Sequence, residues 1–317
     1  NFAGKAVMPA LAVSLLTGCK YLIDEDLSGC FEMPALRFEY TFNEANTDRF
    51  AEQVNSLTLF VYDDEGTFIE ARSFPKSTFV YGNKIELDWL EPGDYKIITW
   101  GNVDNDDYNC LSNGAYDDMR VSLVCEDGSG TMTRQQASLF WGVAVVNKGD
   151  TEEIPVYLIK DTNNIKVTII DTSDLTRSEW GNPQPKLDVH ITASNGTYRP
   201  DNEPCKDDPR PYMKHIAGAT GDREQQEYVA DLTVMRLLIG GDASIKIYDA
   251  ELDNELLHEE PLVAALMRDE TRTLATNDDF NRYDEYSLTY ELSLEHGVWV
   301  LTLVKVNDWD LVTGGGN

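Results

Sequence analysis

Apolar and polar side chains alternate along much of this chain, and this two-residue period limits its fold more than any other feature. Leu57, Leu59 and Val61 occupy alternate positions of one such segment. Side chains of a β-strand point by turns to opposite faces, so this spacing predicts a half-buried strand. The same period recurs in residues 85–89, 165–169, 187–191, 244–252, 286–294 and 298–306. The sequence therefore predicts an all-β fold.

Turn-forming residues separate these strands, and helical patterns are few. Turns that contain acidic residues and glycine follow residues 57–62 and precede residue 95. His296 and Gly297 form a turn between the last two strands, and we predict that these two strands form a hairpin. Two short helices are predicted, one over residues 46–54 and one with Pro261 in its first turn. Many short strands with regular turns favour β-sandwiches over a parallel sheet.

An internal echo indicates two such domains. LTLFVYDDEGTFI, from Leu57, and ASIKIYDAELDNELL, from Ala243, both give a strand, Tyr-Asp, an acidic turn and a second apolar segment. A chain of 317 residues is long enough for two cores. We place the boundary near Lys160 and predict an N-terminal β-sandwich over 35–158 and a C-terminal β-sandwich over 159–317.

The N-terminal segment resembles a lipoprotein signal. Lys5 precedes an apolar run over residues 6–16, which is too short to span a bilayer, and Leu-Thr-Gly-Cys follows it and ends at Cys19. Resemblance to a bacterial lipobox implies a signal peptide over 1–18, lipidation of Cys19 and a tether over 19–34. Lys20 favours the outer membrane over the inner one, and the acidic run 24–26 resembles signals for the cell surface. The alternative is a buried N-terminal helix with an incidental cysteine.

Charge and motif content exclude several classes of function. The chain has 26 Lys and Arg against 56 Asp and Glu, a net charge of -30, and no basic cluster, which argues against nucleic-acid binding. Its four histidines are scattered, and the acidic DNDDYN segment at 104–109 lacks the glycine and final glutamate of an EF-hand. Without a nucleophile elbow, phosphate loop or zinc-ligand spacing, we predict a non-enzymatic protein with no cofactor and no metal site.

Several short blocks in order resemble the FimB-like fimbrial anchor lipoproteins of anaerobic Gram-negative bacteria. These blocks are EDLSGC (25–30), LRFEYTFN (36–43), LTLFVYDDEG (57–66), GDYKIITWGN (93–102), LFWG (139–142) and VNDW (306–309). The resemblance implies two transthyretin-like β-sandwich domains in tandem, attached by lipid to the outer membrane at the cell surface. It also implies a role in holding the base of a fimbria and limiting its length.

The same resemblance suggests how the chain contacts a fimbrial shaft (pilin) subunit. Related pilins polymerise by strand exchange, and a protease removes the N-terminal strand of shaft pilins. Cleavage after Arg37 would separate this fold from Cys19, so we expect the N-terminal strand to stay and the second domain to make the contact. Alternate residues of the last long strand are the candidates, namely Val298, Val300, Thr302, Val304 and Val306.

Two further questions stay open from the sequence. A disulfide between Cys110 and Cys125 would close a loop of roughly 15 residues and stabilise the fold by about 3 kcal/mol. Reduced thiols are favoured instead, because they suit an anaerobe.

The alternative to a fimbrial anchor is a surface lipoprotein that binds glycans through exposed aromatic side chains. Of the six tryptophans, Trp180 is predicted to be the most exposed, and most of the others are expected in the core.

Overall fold

The computed structural model describes residues 34–80, 82–112, 114–125, 130–172, 186–221, 226–250, 254–296 and 298–311. Within these ranges the chain is built from β-strands, with short 3-10 turns and three short α-helices: α1 (Phe50–Gln53), α2 (Leu262–Leu266) and α3 (Asn277–Arg282). The all-β prediction is confirmed.

The first half forms a sandwich of two sheets. Three strands form the smaller sheet, in the order β4 (Lys84–Glu86), β1 (Ala35–Glu39) and β9 (Ile154–Tyr157). Five strands form the larger sheet, in the order β10 (Ile159–Lys160), β8 (Phe140–Val146), β5 (Tyr95–Gly101), β2 (Ser56–Asp63) and β3 (Phe68–Pro75). Phe38 of β1 and Leu59 of β2 belong to the apolar core between them. Because β1 pairs with a neighbour on each side, it is the central strand of its sheet.

Strand β2 is buried on both faces, whereas its sequence pattern predicted a half-buried strand. Residues Ser56–Tyr62 are all buried. A third small sheet, in the order β13 (Thr197–Tyr198), β7 (Arg120–Leu123) and β6 (Tyr108–Leu111), shares a hydrophobic core with Phe60 and Tyr62 on the second face of β2. The bulky residues between the alternating aliphatic ones therefore face a second core instead of water.

The second half forms a larger sandwich. Its six-stranded sheet has the order β15 (Thr220–Gly221), β16 (Gln226–Met235), β11 (Thr162–Asp171), β19 (Glu285–Glu295), β20 (Val298–Val306) and β21 (Trp309–Asp310). Its four-stranded sheet has the order β14 (Pro209–Ile216), β12 (Leu187–Ser194), β17 (Ser244–Asp249) and β18 (Asn254–Pro261). Alternate buried residues of β11 and β12 share the core between the two sheets. Strands β19 and β20 pair antiparallel, so the predicted C-terminal hairpin is confirmed.

The two halves are joined by more than one connection. The chain leaves the five-stranded sheet at β10 and enters the six-stranded sheet at β11, close to the predicted boundary. The small sheet crosses this division, because β7 of the first half pairs with β13 of the second. Trp100 and Tyr198 continue the core across it, with ring centroids 6.2 Å apart. The limits 35–158 and 159–317 therefore stay a prediction of domain organisation.

Local differences from the predicted elements have local causes. Strand β4 ends at Glu86 because a turn follows, in which the Leu90 amide donates to the Leu87 carbonyl at 3.0 Å. Helix α1 is shorter than predicted, and Pro261 is the N-cap of α2 rather than part of its first turn. Helix α3 was not predicted. A capping box begins it, in which the Thr276 hydroxyl and the Asp279 carboxylate each accept from the other residue's backbone amide.

Candidate functional site

Strand β20 lies near one edge of the six-stranded sheet, next to β21. Strand β19 pairs with it along one side, whereas β21 pairs only with Lys305 and Val306 on the other. The Leu311 amide also donates to the Val304 carbonyl at 2.7 Å. In the part of the chain that the structure describes, no strand pairs with the outer side of Val298–Leu303. We call Val298–Leu303 the β20 edge.

A β-bulge divides the five residues that the sequence pointed to. Thr289 pairs with Lys305 and the next residue, Tyr290, pairs with Leu303, so Val304 is the extra residue of the bulge. Val298, Val300 and Thr302 share the outer face of the sheet, whereas Val306, which is fully buried, belongs to the core. The bulge therefore divides the five candidates between the two faces of the sheet, and their role in partner binding stays a prediction.

The inner face of the β20 edge is apolar. Leu303 is buried, and Trp299 and Leu301 are half-buried against the core. Across the sandwich, β18 lies next to β20 and contributes Leu257, which is also half-buried and pairs with the buried Ile247. An added strand along β20 could therefore place alternate apolar side chains between the two sheets.

Charge distinguishes the β20 edge from the other long sheet edges. Strand β3 carries Glu70 and Arg72, which form an ion pair at 3.5 Å, and the Arg72 guanidinium lies 4.0 Å from the Trp89 ring centroid. Strand β18 carries three glutamates and an exposed histidine. Charged side chains protect sheet edges from pairing with other strands. Strand β14 carries Arg210, Lys214 and His215, and the part of β16 beyond its pairing with β15 carries Asp231. The β20 edge has no charged residue, so it is the best suited of these edges to accept a strand.

A buried charged network joins the half that carries β1 to the half that carries β20. Asp161, between β10 and β11, is fully buried, and its Oδ1 lies 3.4 Å from Nε of the buried Arg236. The Asn202 side-chain amide donates to the same oxygen at 3.1 Å, and Arg236 donates to the Asn202 carbonyl. Beside it, the buried Lys160 pairs with Asp284. Because β10 pairs with β8 of the five-stranded sheet, the contacts of Lys160 and Asp161, which we call the junction, tie the connection between the sandwiches to both halves.

The buried Asp161 carboxyl of the junction makes the free energy of unfolding depend on pH. Burial raises the pKa of Asp161 to about 6, against the opposing effects of Arg236 and Asn202. The folded state then holds this proton more tightly than the unfolded state, so the free energy of unfolding falls as the pH rises from about 4 to about 6. We expect the difference in unfolding free energy between wild type and Asp161→Asn to change by about 2 kcal/mol between about pH 4.5 and 7. Urea denaturation at several pH values measures it, and a constant difference contradicts the assignment.

The two cysteines considered for a disulfide are free thiols. Cys110 pairs with Val121 across β6 and β7, and the Val124 amide donates to the Asp107 carbonyl further along the same ladder. Cys125 is therefore four residues beyond the partner of Cys110, which is about 13 Å at the usual rise per residue. A disulfide needs Cα atoms within about 7 Å. Burial raises the pKa of Cys110 to about 12, and Arg210 donates to Cys125 Sγ at 3.4 Å. The disulfide is therefore not formed.

Among the residues that the structure describes, the other sequence-predicted positions are not brought together in a second site. Cys19, Cys30 and Trp180 lie outside the described residues. The five described tryptophans are buried or half-buried, and none is an exposed platform. In the acidic segment 104–109, Asp107 accepts from the Ala137 amide at 2.7 Å and pairs with Arg134. The described residues include no group of three or more potential metal ligands, and none of their helices is long and apolar enough to cross a membrane.

The fold defines a class of protein, namely all-β chains of packed β-sandwiches, here with a sheet edge along Val298–Leu303 that no described strand covers. Sequence comparison then identifies the family. The family model for the fimbrillin-A associated anchor proteins Mfa1 and Mfa2 matches residues 27–314, and the chain belongs to this family. The resemblance to fimbrial anchor proteins is therefore confirmed, and with it a fimbria-associated role. No curated protein matches the sequence of this chain.

Solved structures share the fold. A Bacteroides ovatus protein described as a candidate adhesin is 23% identical, with a TM-score of 0.73 over 88% of this chain and 94% of its own. A Bacteroides thetaiotaomicron protein described as a candidate polysaccharide-binding protein is 19% identical, with a TM-score of 0.70 over 86% and 94%. The fimbrial anchor protein Mfa2 from Porphyromonas gingivalis is 17% identical, with a TM-score of 0.66 over 88% and 98%. At these identities, the likenesses show the fold alone.

Proposed function

We propose that this chain is a lipid-anchored outer-membrane protein that attaches the base of a fimbria to the cell and helps to limit fimbrial length. It docks to a pilin subunit by β-strand addition at the β20 edge. The observation that carries the proposal is this long, uncharged edge, with which no strand in the described part of the chain pairs, in a member of the fimbrial anchor family. Strand addition uses main-chain hydrogen bonds for affinity and alternate side-chain pockets for specificity.

The position of β1 supports a role for the N-terminal end as the tether and for the β20 edge as the partner-binding surface. Strand β1 is central in its sheet, and Leu36 and Phe38 are fully buried. A chain lipidated at Cys19 transmits any pull on the fimbria through this strand, so β1 must stay in place. The partner must then be bound elsewhere, and the β20 edge lies in the other half of the molecule. A shaft subunit docked there would fill the edge and leave it closed to further addition, which limits growth.

Charged residues on the β20 edge are expected to weaken attachment. In Val300→Lys/Thr302→Lys, two lysines lie on the outer face of the edge, where charge disfavours pairing with an added strand. We expect about tenfold fewer fimbriae to remain with washed cells and correspondingly more in the medium, measured by quantitative immunoblotting. Val80→Lys/Val145→Lys is the matched control, since both valines are exposed, at 68% and 60%, and lie outside β20. Equal retention in the two variants argues against the edge.

Lipidation is tested separately from docking. Wild type is expected to incorporate a labelled fatty acid, and Cys19→Ala is expected to lose the label and to leave the membrane fraction. The physical reason is that several acyl chains anchor stably, at about 0.8 kcal/mol for each buried CH₂. Cys110→Ala serves as the control, because its thiol lies in β6 of the folded body. Undiminished label in Cys19→Ala contradicts the proposed anchor.

Glycan binding remains the alternative function. One solved structure with this fold is described as a candidate polysaccharide-binding protein. The aromatic residues provide less support, because Trp100 is fully buried, the Arg72 guanidinium covers the Trp89 ring, and the indole of Trp141 donates to the Pro200 carbonyl at 3.1 Å. A gene deletion separates the two functions, since loss of an anchor sheds fimbriae, whereas loss of a glycan receptor impairs growth on a polysaccharide.

A further inference from the structure

The outer face beside the β20 edge is acidic. Glu291 and Glu295 of β19 are both exposed, and they pair across the hairpin with Thr302 and Val298, which carry no charge. The first basic residue along β20 is Lys305, and it pairs with Asp310 at 3.6 Å. A segment added along Val298–Leu303 therefore meets two carboxylates on this face and no described lysine or arginine of β20 within the edge.

The inner face of the β20 edge favours apolar side chains in an added strand, whereas the outer face favours basic ones. An added strand would turn alternate side chains toward Leu301, Leu303 and the facing Leu257. Glu260 of β18 also faces inward, where it accepts from the Tyr290 hydroxyl at 3.2 Å and lies 3.9 Å from Arg268. Since these two partners already engage this carboxylate, the inner face favours apolar side chains.

Taken with the proposed docking at β20, on which this inference rests, the geometry points to a partner strand that alternates apolar and basic residues. Its apolar side chains face the gap between the sheets, and its lysines or arginines lie on the outer face beside Val300 and Thr302. Neighbouring strands are about 4.8 Å apart, so the added strand lies about 10 Å from β19. Long basic side chains can cross the short side chains of β20 and approach Glu291 and Glu295.

Binding of short peptides to the full chain tests this inference. Three capped peptides of about seven residues alternate valine with lysine, threonine or glutamate, and each carries a fluorophore for anisotropy titration. With wild type at low salt, we expect the lysine peptide to bind about tenfold more tightly than the glutamate peptide, with the threonine peptide between them. The difference should shrink at high salt because screening weakens exposed charge pairs.

Two charge-reversal variants locate the effect. Glu291→Lys/Glu295→Lys is expected to reverse the order of the lysine and glutamate peptides. Asp64→Lys/Glu65→Lys changes the net charge equally at the exposed turn between β2 and β3, and it should keep the wild-type order. Equal binding of all three peptides overturns the basic partner but leaves strand addition standing. Absence of binding by every peptide overturns both, and an unchanged order in Glu291→Lys/Glu295→Lys overturns the assigned carboxylates.

Discussion

Replacing Arg236 by alanine is expected to lower the free energy of unfolding by about 4 kcal/mol at neutral pH. The substitution removes the charged partner of the fully buried Asp161 and the donor to the Asn202 carbonyl. Breaking a buried ion pair by removing one partner costs about 3–5 kcal/mol, because the remaining charge stays in a poorly solvated site. Chemical denaturation followed by far-UV circular dichroism measures the change.

Two further variants separate the buried charge from lost packing. Arg199→Ala breaks an exposed ion pair with Asp201, whose side chains are 47% and 51% exposed, and it should cost less than about 1 kcal/mol. The double variant Asp161→Asn/Arg236→Met removes both charges, so it should recover at least half of the loss seen in Arg236→Ala. If the double variant is as unstable as the single one, lost packing rather than an unpaired charge explains the loss.

The strands could be predicted from the sequence because each has a local signal. The alternation in residues 286–294 and 298–306 gives both strands of the C-terminal hairpin. The echo between residues 57 and 243 corresponds to two hairpins, β2–β3 and β17–β18. Helix α3 also had a local signal, since Thr276 and Asp279 have the spacing of a capping box, and the prediction missed it.

Features that depend on distant partners could not be predicted. The bulge at Val304 depends on the register with β19, and a shift of one residue moves the following side chains to the other face. The pairing of β7 with β13 joins two-residue and four-residue strands that leave no clear pattern. Asp161 is one of 56 acidic residues, and only the fold distinguishes this buried carboxylate from solvated ones.

In the proposed function, the junction lies between the β20 edge, where the shaft would pull, and β1, which leads to the proposed lipid anchor. Tension from a docked shaft enters at β20 and leaves through β1 toward the proposed lipid at Cys19. The covalent path crosses the connection between β10 and β11, where Asp161 and Lys160 pair with residues of the second half. Loss of these pairs is therefore expected to impair retention of fimbriae even when the β20 edge is intact.

The same path makes β1 the strand that an anchor must protect, and Phe38→Ala is expected to expose it to proteolysis. Phe38 is fully buried and its ring stacks on Phe50, with centroids 6.3 Å apart, so truncation should cost about 4 kcal/mol. In wild type, Arg37 pairs with Lys84 on one side and Pro155 on the other, which keeps its peptide bond out of a protease active site. Cleavage there requires opening of β1.

When opening is fast relative to cleavage, the cleavage rate follows the population of the open state, and each 1.4 kcal/mol changes it about tenfold. An arginine-specific protease should therefore cut after Arg37 several hundredfold faster in Phe38→Ala, as measured by mass spectrometry of the released N-terminal fragment. Phe68→Ala, a half-buried truncation on β3, should accelerate the same cut less than about tenfold. Rapid cutting of wild type at Arg37 would mean that β1 opens locally, and a chain so cut would be detached from its proposed lipid anchor.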